Sequence, residues 1–175
     1  MVLDGDRIER GADLGWAEAQ ARASAGIHAA YPAEPDRRKA VHDLLIGDLL
    51  PDLAQAAMQL GLDPAQAAQW VATRSQKGLS LAPSVGVYAE MFHGRHSDPA
   101  TAWERNDVLD MVFLSCAAAY ADVVVCERHA AGVLNNAVAR LGRSTRAYRR
   151  LRDTVPVIEE MLNENQQNRE QSRLP

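Results

Sequence analysis

The hydrophobic and polar positions of this chain follow mostly the three- and four-residue spacing of amphipathic helices. The longest such run extends from Val41 to Leu60, with Pro51 inside it and Gly61 at its end. The pair Asp63-Pro64 marks the start of another helix, because aspartate caps a first turn and proline is tolerated at the first helical position. The pattern predicts helices over residues 14–30, 37–60 with Asp36 as the cap, 64–76, 106–120, 130–141 and 155–162.

Two shorter segments have the composition of strands. Asp122–Cys126 contains three consecutive valines, whose branched side chains favour extended structure, and Thr145–Arg150 is predicted to form a second short strand. Pro83–His93 fits either a strand or a helical turn, and a polar loop is predicted from Gly94 to Ala102. We therefore predict a helix-dominated α/β fold with a small parallel sheet, and an all-α fold is the alternative.

The chain has the size of one domain, and no internal repeat or boundary divides it. Its 175 residues, 47% of them apolar and 24% charged, are enough to build a core without disulfides. We expect a single domain over residues 1–162. Residues 163–175 lack an apolar period and are predicted to form a disordered polar tail.

The cysteines and the apolar runs bear on the compartment. Cys116 and Cys126 are the only cysteines, and both stand in apolar runs, which predicts two buried thiols in a reducing environment. The longest apolar run, Met111 to Tyr120, is too short to span a bilayer, and the N-terminus is acidic where a signal peptide is basic. We expect a cytoplasmic protein without a membrane anchor.

Positive charge is concentrated in one part of an acidic chain. The formal net charge is −4, yet six arginines lie between Arg140 and Arg152, with no acid before Asp153. Such a run can follow the phosphates of a nucleic acid, although an exposed helix end with spare arginines is the alternative. The residues predicted to contact a nucleic acid are Arg128, Arg140, Arg143, Arg146 and Arg149.

Three carboxylates form the candidate catalytic group. Asp107 and Asp110 are three residues apart and share one face near the start of a predicted helix, and Glu127 follows the valine strand. Ligands of open α/β sheets collect at the edge where strands end, so the three acids are expected to converge. Oxygen ligands suit Mg²⁺ or Mn²⁺, and two such ions can activate water for phosphodiester cleavage. The alternative is that the two aspartates only complement the helix dipole.

Four segments carry a resemblance to a known family. They read Pro-Ser-Val-Gly-Val-Tyr-Ala-Glu-Met from Pro83, Arg95-His96, Trp-Glu-Arg-Asn-Asp-Val-Leu-Asp from Trp103, and Ala-Tyr-Ala-Asp-Val-Val-Val-Cys-Glu-Arg from Ala119. Over residues 83–141 the chain resembles the C-terminal half of a bacterial PIN-like family. Members carry an Asn-Asp-x-x-Asp helix, followed by a Tyr-x-Asp-Val-Val-Val strand that ends in an acidic-basic pair.

The resemblance implies metal-dependent cleavage of RNA, as in the toxins of toxin–antitoxin pairs, with Mg²⁺ or Mn²⁺ as cofactor. On the matching positions, Asp107 and Asp110 are implied as metal ligands and Glu127 as the acid at the strand end, while Asp122 starts the strand. PIN domains open with a strand that ends in an essential aspartate. The only candidate for that residue is Asp4, and otherwise the first strand is expected to be missing, in a fragment or a degenerate domain.

Two non-catalytic functions remain as alternatives. One is a helical protein-interaction module, with an antitoxin, another protein or a second copy of the chain as partner; it predicts an apolar face between Val41 and Leu60 and no convergent acids. The other is an RNA-binding module that uses the arginines. His93 and His96 are spaced as metal ligands can be, but are expected to be a solvated pair in a loop.

Overall fold

The computed structural model describes residues 10–98, 100 and 102–171. Within these ranges the chain forms seven α-helices, two β-strands and a 3-10 turn at Leu151–Asp153. The helices are α1 (Arg10–Ala30), α2 (Glu34–Gln59), α3 (Pro64–Leu81), α4 (Pro83–Ser97), α5 (Asp107–Tyr120), α6 (Arg128–Arg140) and α7 (Val155–Gln171). The strands are β1 (Val123–Val125) and β2 (Arg146–Tyr148).

The two strands form a parallel pair, with α6 as the crossover between them. Val124 lies opposite Ala147 in this register. The predicted helix-dominated α/β fold with a small parallel sheet is confirmed, and the all-α alternative is excluded. No described helix has the combination of length and apolar character that a membrane span requires.

The two outer edges of this sheet differ. Toward β1, the Arg146 N–H donates to the Asp122 carbonyl at 2.9 Å, so the N–H and C=O of the next residue, Ala147, point away from β1. Both groups are bound by the side chain of Asn135 on α6, which donates to the Ala147 carbonyl and accepts from its N–H, each at 2.9 Å. One amide side chain therefore completes the outer edge of β2 as a neighbouring strand would.

Helix α4 lies at the centre of the core. It packs against α2, α3, α5 and α6, and Val87, Met91 and Phe92 are buried on it. The same core takes Val41, Leu45 and Ile46 from α2, Leu79 from α3, Met111 and Ala118 from α5, and Ala131, Leu134, Ala137 and Val138 from α6. Because α4 is covered on several sides, its sequence has no single apolar stripe. Residues 83–93, for which the sequence fitted either a strand or a helical turn, are helical.

The connection between α3 and α4 depends on a glycine. A Cβ atom on Gly86 would lie 3.0 Å from the carbonyl oxygen of Ser80, closer than side chains normally approach backbone. The two helices follow one another with only Ala82 between them, so this close approach is built into the turn. Asp63 caps α3 as expected, accepting the N–H of Gln66 at 2.9 Å.

Several sequence expectations differ from the structure. Residues 94–97 continue α4 instead of forming a loop, and α2 starts at Glu34 and continues through Pro51. Helix α7 extends to Gln171, so residues 163–171 of the predicted disordered tail are helical; their glutamates and glutamines are good helix formers even without an apolar period. Residues 172–175 lie outside the described ranges. Cys116 is exposed and Cys126 half-buried, because only one face of α5 and of β1 meets the core.

Candidate functional site

The carboxyl ends of β1 and β2 meet at one edge of the sheet. The Cys126 N–H donates to the Tyr148 carbonyl at 3.0 Å, which joins the ends of the two strands. Glu127 follows as the N-cap residue of α6, Arg128 is the first residue of that helix, and Arg149 comes directly after β2. All three side chains are exposed. In open parallel sheets, ligands bind at this carboxyl edge.

Asp107 has a partner of its own. Its carboxylate forms a hydrogen-bonded ion pair with the Arg95 guanidinium, and the side chains are only 10% exposed for Arg95 and 16% for Asp107. The same carboxylate accepts the N–H of Glu104 at 2.6 Å. Arg95 also donates to the Ala102 carbonyl at 2.9 Å and lies over the Trp103 ring, 5.1 Å from its centre. This ion pair joins α4 to the first residue of α5.

The other two predicted acids are exposed and could bind a ligand. Asp110, one turn further along α5, and Glu127 are exposed and make no ion pair with the described residues. Within the described ranges no three acidic, histidine or cysteine side chains form a group that could hold a metal ion, and this includes Asp107 with Asp110 and Glu127. Asp4 lies outside the described residues.

The donor chemistry of these carboxylates is still suited to a magnesium ion. Mg²⁺ keeps several waters and is usually bound through one or two carboxylates together with phosphate oxygens of the substrate. Asp110 and Glu127 fit that requirement as exposed oxygen donors. Asp107 does not, because a metal would have to displace the Arg95 guanidinium from its carboxylate.

The five predicted RNA-binding arginines divide between the two ends of the sheet. Arg128 and Arg149 lie at the carboxyl edge, beside Glu127. Helix α6 then runs back across the sheet, so Arg140 at its end, Arg143 after it and Arg146 at the start of β2 lie toward the opposite edge. Only the first two arginines are close in the fold to the strand-end acid.

His93 and His96 are not a solvated loop pair, because both are buried in α4. His96 is fully buried and bridges to α1: the Ser24 hydroxyl is 2.7 Å from its Nδ1, and the Gln20 carbonyl oxygen is 3.2 Å from its Nε2. The Trp103 indole N–H donates to the Ser24 oxygen at 3.1 Å. Because the Gln20 oxygen can only accept, Nε2 of His96 donates to it, and the unprotonated Nδ1 accepts the hydrogen bond of the Ser24 hydroxyl. The network fastens α1 to α4.

Burial changes the charge of both histidines. Desolvation lowers the pKa of His96 to about 4, and nearby His93, His28 and Arg95 add to the effect. Burial likewise lowers the pKa of His93 to about 4, with a further contribution from Arg38, whose guanidinium donates to its Nδ1 at 3.0 Å. Both imidazoles are therefore neutral at pH 7.

A second buried ion pair was not predicted from the sequence. Arg38 on α2 pairs with Glu90 on α4, 52 residues away. The spacing of Glu90 and His93, three residues apart on one helix face, could have suggested that both contact the same partner. That inference requires residues 83–93 to be recognised as a helix.

The carboxyl edge thus places one exposed carboxylate, Glu127, a group that can bind hard cations, together with two exposed guanidinium groups, Arg128 and Arg149, which can bind phosphate oxygens. No family model, curated protein or solved structure matches this chain.

Proposed function

We propose that this protein is a metal-dependent ribonuclease of PIN-like type, acting at the carboxyl edge of its sheet. The observation that carries the proposal is the joint position of Glu127, Arg128 and Arg149 at the ends of two parallel strands. The resemblance of residues 83–141 to the PIN-like family supports the same chemistry.

In this proposal each side chain has one role. Asp110 and Glu127 bind the metal, and Arg128 and Arg149 bind phosphate oxygens on either side of the scissile bond. A bound Mg²⁺ or Mn²⁺ ion supplies a polarised phosphate and a water of lowered pKa. Asp107 is a positioning residue that holds the first turn of α5 through Arg95.

The test is cleavage of a fluorescent single-stranded RNA with Mg²⁺ or Mn²⁺. Residues that only support metal ligands already contribute 10- to 100-fold to metal affinity or activity, so Glu127→Gln is expected to lower the rate by about 100-fold or more. Glu159→Gln removes an exposed carboxylate from α7 and serves as the control with unchanged rate. Cleavage that persists in EDTA, or a Glu127→Gln variant as active as the unmodified chain, contradicts the proposal.

A second candidate function, protein binding, is favoured by an apolar groove between α2 and α3. Met58 and Leu60 are 79% and 76% exposed at its rim, where the interaction hypothesis places an apolar face. The groove has a volume of about 850 Å³. Its other large apolar residues are Leu50, Leu53, Leu62, Trp70 and Val71.

The partner that fits this groove is α7 of a second copy of the chain. Val155, Ile158 and Leu162 form an apolar stripe on α7 at the spacing of helix-in-groove anchors, and they are 50%, 41% and 57% exposed. None of the side chains from 155 to 167 is fully buried. Reciprocal exchange of α7 would cover both surfaces in a closed dimer.

Light scattering after size-exclusion chromatography tests this arrangement. We expect a dimer for the unmodified chain and monomers for Leu60→Asp in the groove and Ile158→Asp on α7, because either charge would be buried in the contact. Phe113→Asp, at an exposed apolar position on α5, is the control that stays dimeric. A chain that is monomeric at every concentration contradicts the second-copy proposal.

A further inference from the structure

A second site lies away from the carboxyl edge, in a pocket walled by α2, α3, α4 and the end of α6. Its volume is about 620 Å³, within the range of small-molecule sites. Apolar residues of the core line part of it, and polar residues, six of them titratable, line the rest. The six are Arg38, His42, Lys77, Glu90, His93 and Arg140.

The polar side of the pocket is held by a chain of three side chains. Arg38 forms an ion pair with Oε1 of Glu90 and donates to Nδ1 of His93 at 3.0 Å. The second carboxylate oxygen of Glu90, Oε2, is buried and has no hydrogen-bond partner among the described residues. An unsatisfied buried acceptor is unfavourable, so a hydroxyl or N–H group on a ligand would gain by reaching it.

The pocket carries excess positive charge. Arg38, Lys77 and Arg140 contribute three cations, and Glu90 contributes one carboxylate. Both histidines are neutral at pH 7, since burial lowers the pKa of His42 as it does that of His93. Of the cations, Lys77 and Arg140 are exposed and make no ion pair with the described residues. A phosphate monoester, with nearly two negative charges at neutral pH, matches this excess.

The remaining wall suits a flat ring. Val41, Leu45, Leu79 and Leu141 line the pocket beside the polar groups. A ligand that carries only a phosphate would leave this apolar surface uncovered, whereas a nucleobase would cover it and bring N–H donors for Glu90. Ring, donor and phosphate occur together in a nucleotide.

We propose that this pocket binds a nucleoside monophosphate. Lys77 and Arg140 hold the phosphate, the apolar wall holds the ring, and Glu90 accepts a hydrogen bond from the base or the sugar. The site uses none of the residues proposed for RNA cleavage at the carboxyl edge. It therefore stands or fails independently of the ribonuclease proposal.

Isothermal titration calorimetry on the full chain tests the site, with the four nucleoside 5′-monophosphates, the unphosphorylated nucleosides, ribose 5-phosphate and inorganic phosphate as probes. At least one monophosphate is expected to bind more tightly than its nucleoside, ribose 5-phosphate and inorganic phosphate. Lys77→Gln and Arg140→Gln are each expected to weaken that binding about tenfold or more, because hydrogen bonds to charged groups contribute roughly 1.5–3 kcal/mol.

Arg74→Gln is the matched control, since Arg74 is exposed on the same helix as Lys77 and does not line the pocket. Circular dichroism confirms that each variant is folded. Absence of binding at millimolar monophosphate overturns the proposal, as does binding that Lys77→Gln and Arg140→Gln leave unchanged. If ribose 5-phosphate binds as tightly as the monophosphates, the site is one for sugar phosphates, and the proposal of a nucleotide ligand is overturned. Loss of RNA cleavage in Glu127→Gln with intact nucleotide binding separates the two sites.

Discussion

Replacing Asp107 with asparagine is expected to lower the free energy of unfolding by about 3–5 kcal/mol, the cost of leaving one member of a buried ion pair alone. The Arg95 side chain is only 10% exposed, so its charge would lose the Asp107 carboxylate without gaining full hydration. Urea denaturation measures the change. For a chain of this size, the melting temperature should fall by roughly 10 °C.

Asp110→Asn is the matched control for this substitution. Asp110 lies on the same helix, but it is exposed and makes no ion pair with the described residues, so the change should stay within about 0.5 kcal/mol. Equal, small effects of the two substitutions would contradict the anchoring role of Asp107. The comparison also matters for catalysis, because activity lost in Asp107→Asn would reflect a displaced α5 and not a missing metal ligand.

The second large effect is expected for His96→Ala, which should destabilise the protein by about 4 kcal/mol. Truncation opens a cavity between Phe92 and Trp103, whose ring centroids lie 4.5 and 4.8 Å, respectively, from the centroid of the imidazole. It also removes the partner of the buried Ser24 and Gln20 side chains. His129→Ala, at an exposed position on α6, is the control and should be close to neutral. A loss below about 1 kcal/mol would mean that α1 does not depend on this network.

The same histidine makes stability depend on pH. Because the pKa of His96 and of His93 is about 4 in the folded chain and about 6.5 when unfolded, only the unfolded state takes up protons between these values. Stability is complete above pH 6.5 and falls as the pH drops toward 4. We expect a loss of about 2 kcal/mol for each of the two histidines between pH 7 and pH 5, hence about 4 kcal/mol in total and about half of that in His96→Ala. Denaturation midpoints that do not change over this range would contradict the assignment.

The sequence predicts the fold where local signals are strong. Asp63 and Pro64 marked the start of α3, and the three valines marked β1, because capping and branching act within a few residues. Helix α4 was ambiguous for the opposite reason. It is buried against four other helices, so the amphipathic pattern that identifies surface helices is absent from residues 83–93.

The candidate site is less accessible to sequence reasoning. Glu127 and Arg149 follow strands, and strand ends can be located from the pattern. The partner of Asp107 cannot be predicted in the same way. Arg95 and Asp107 lie on different helices, and only the packing of α4 against α5 brings them together. The place of Asp107 in the first turn of α5 also agrees with the alternative, that the acid complements the helix dipole.

Asn135 has a consequence for how this sheet can grow. Since its amide already occupies the outer N–H and C=O of β2, a further strand can join only beside β1, where the outward groups of Val123 and Val125 have no backbone partner among the described residues. Edge-to-edge polymerisation requires two free edges on every molecule. With one edge closed, strand pairing between copies can join at most two molecules, and Asn135 therefore prevents growth into a fibre.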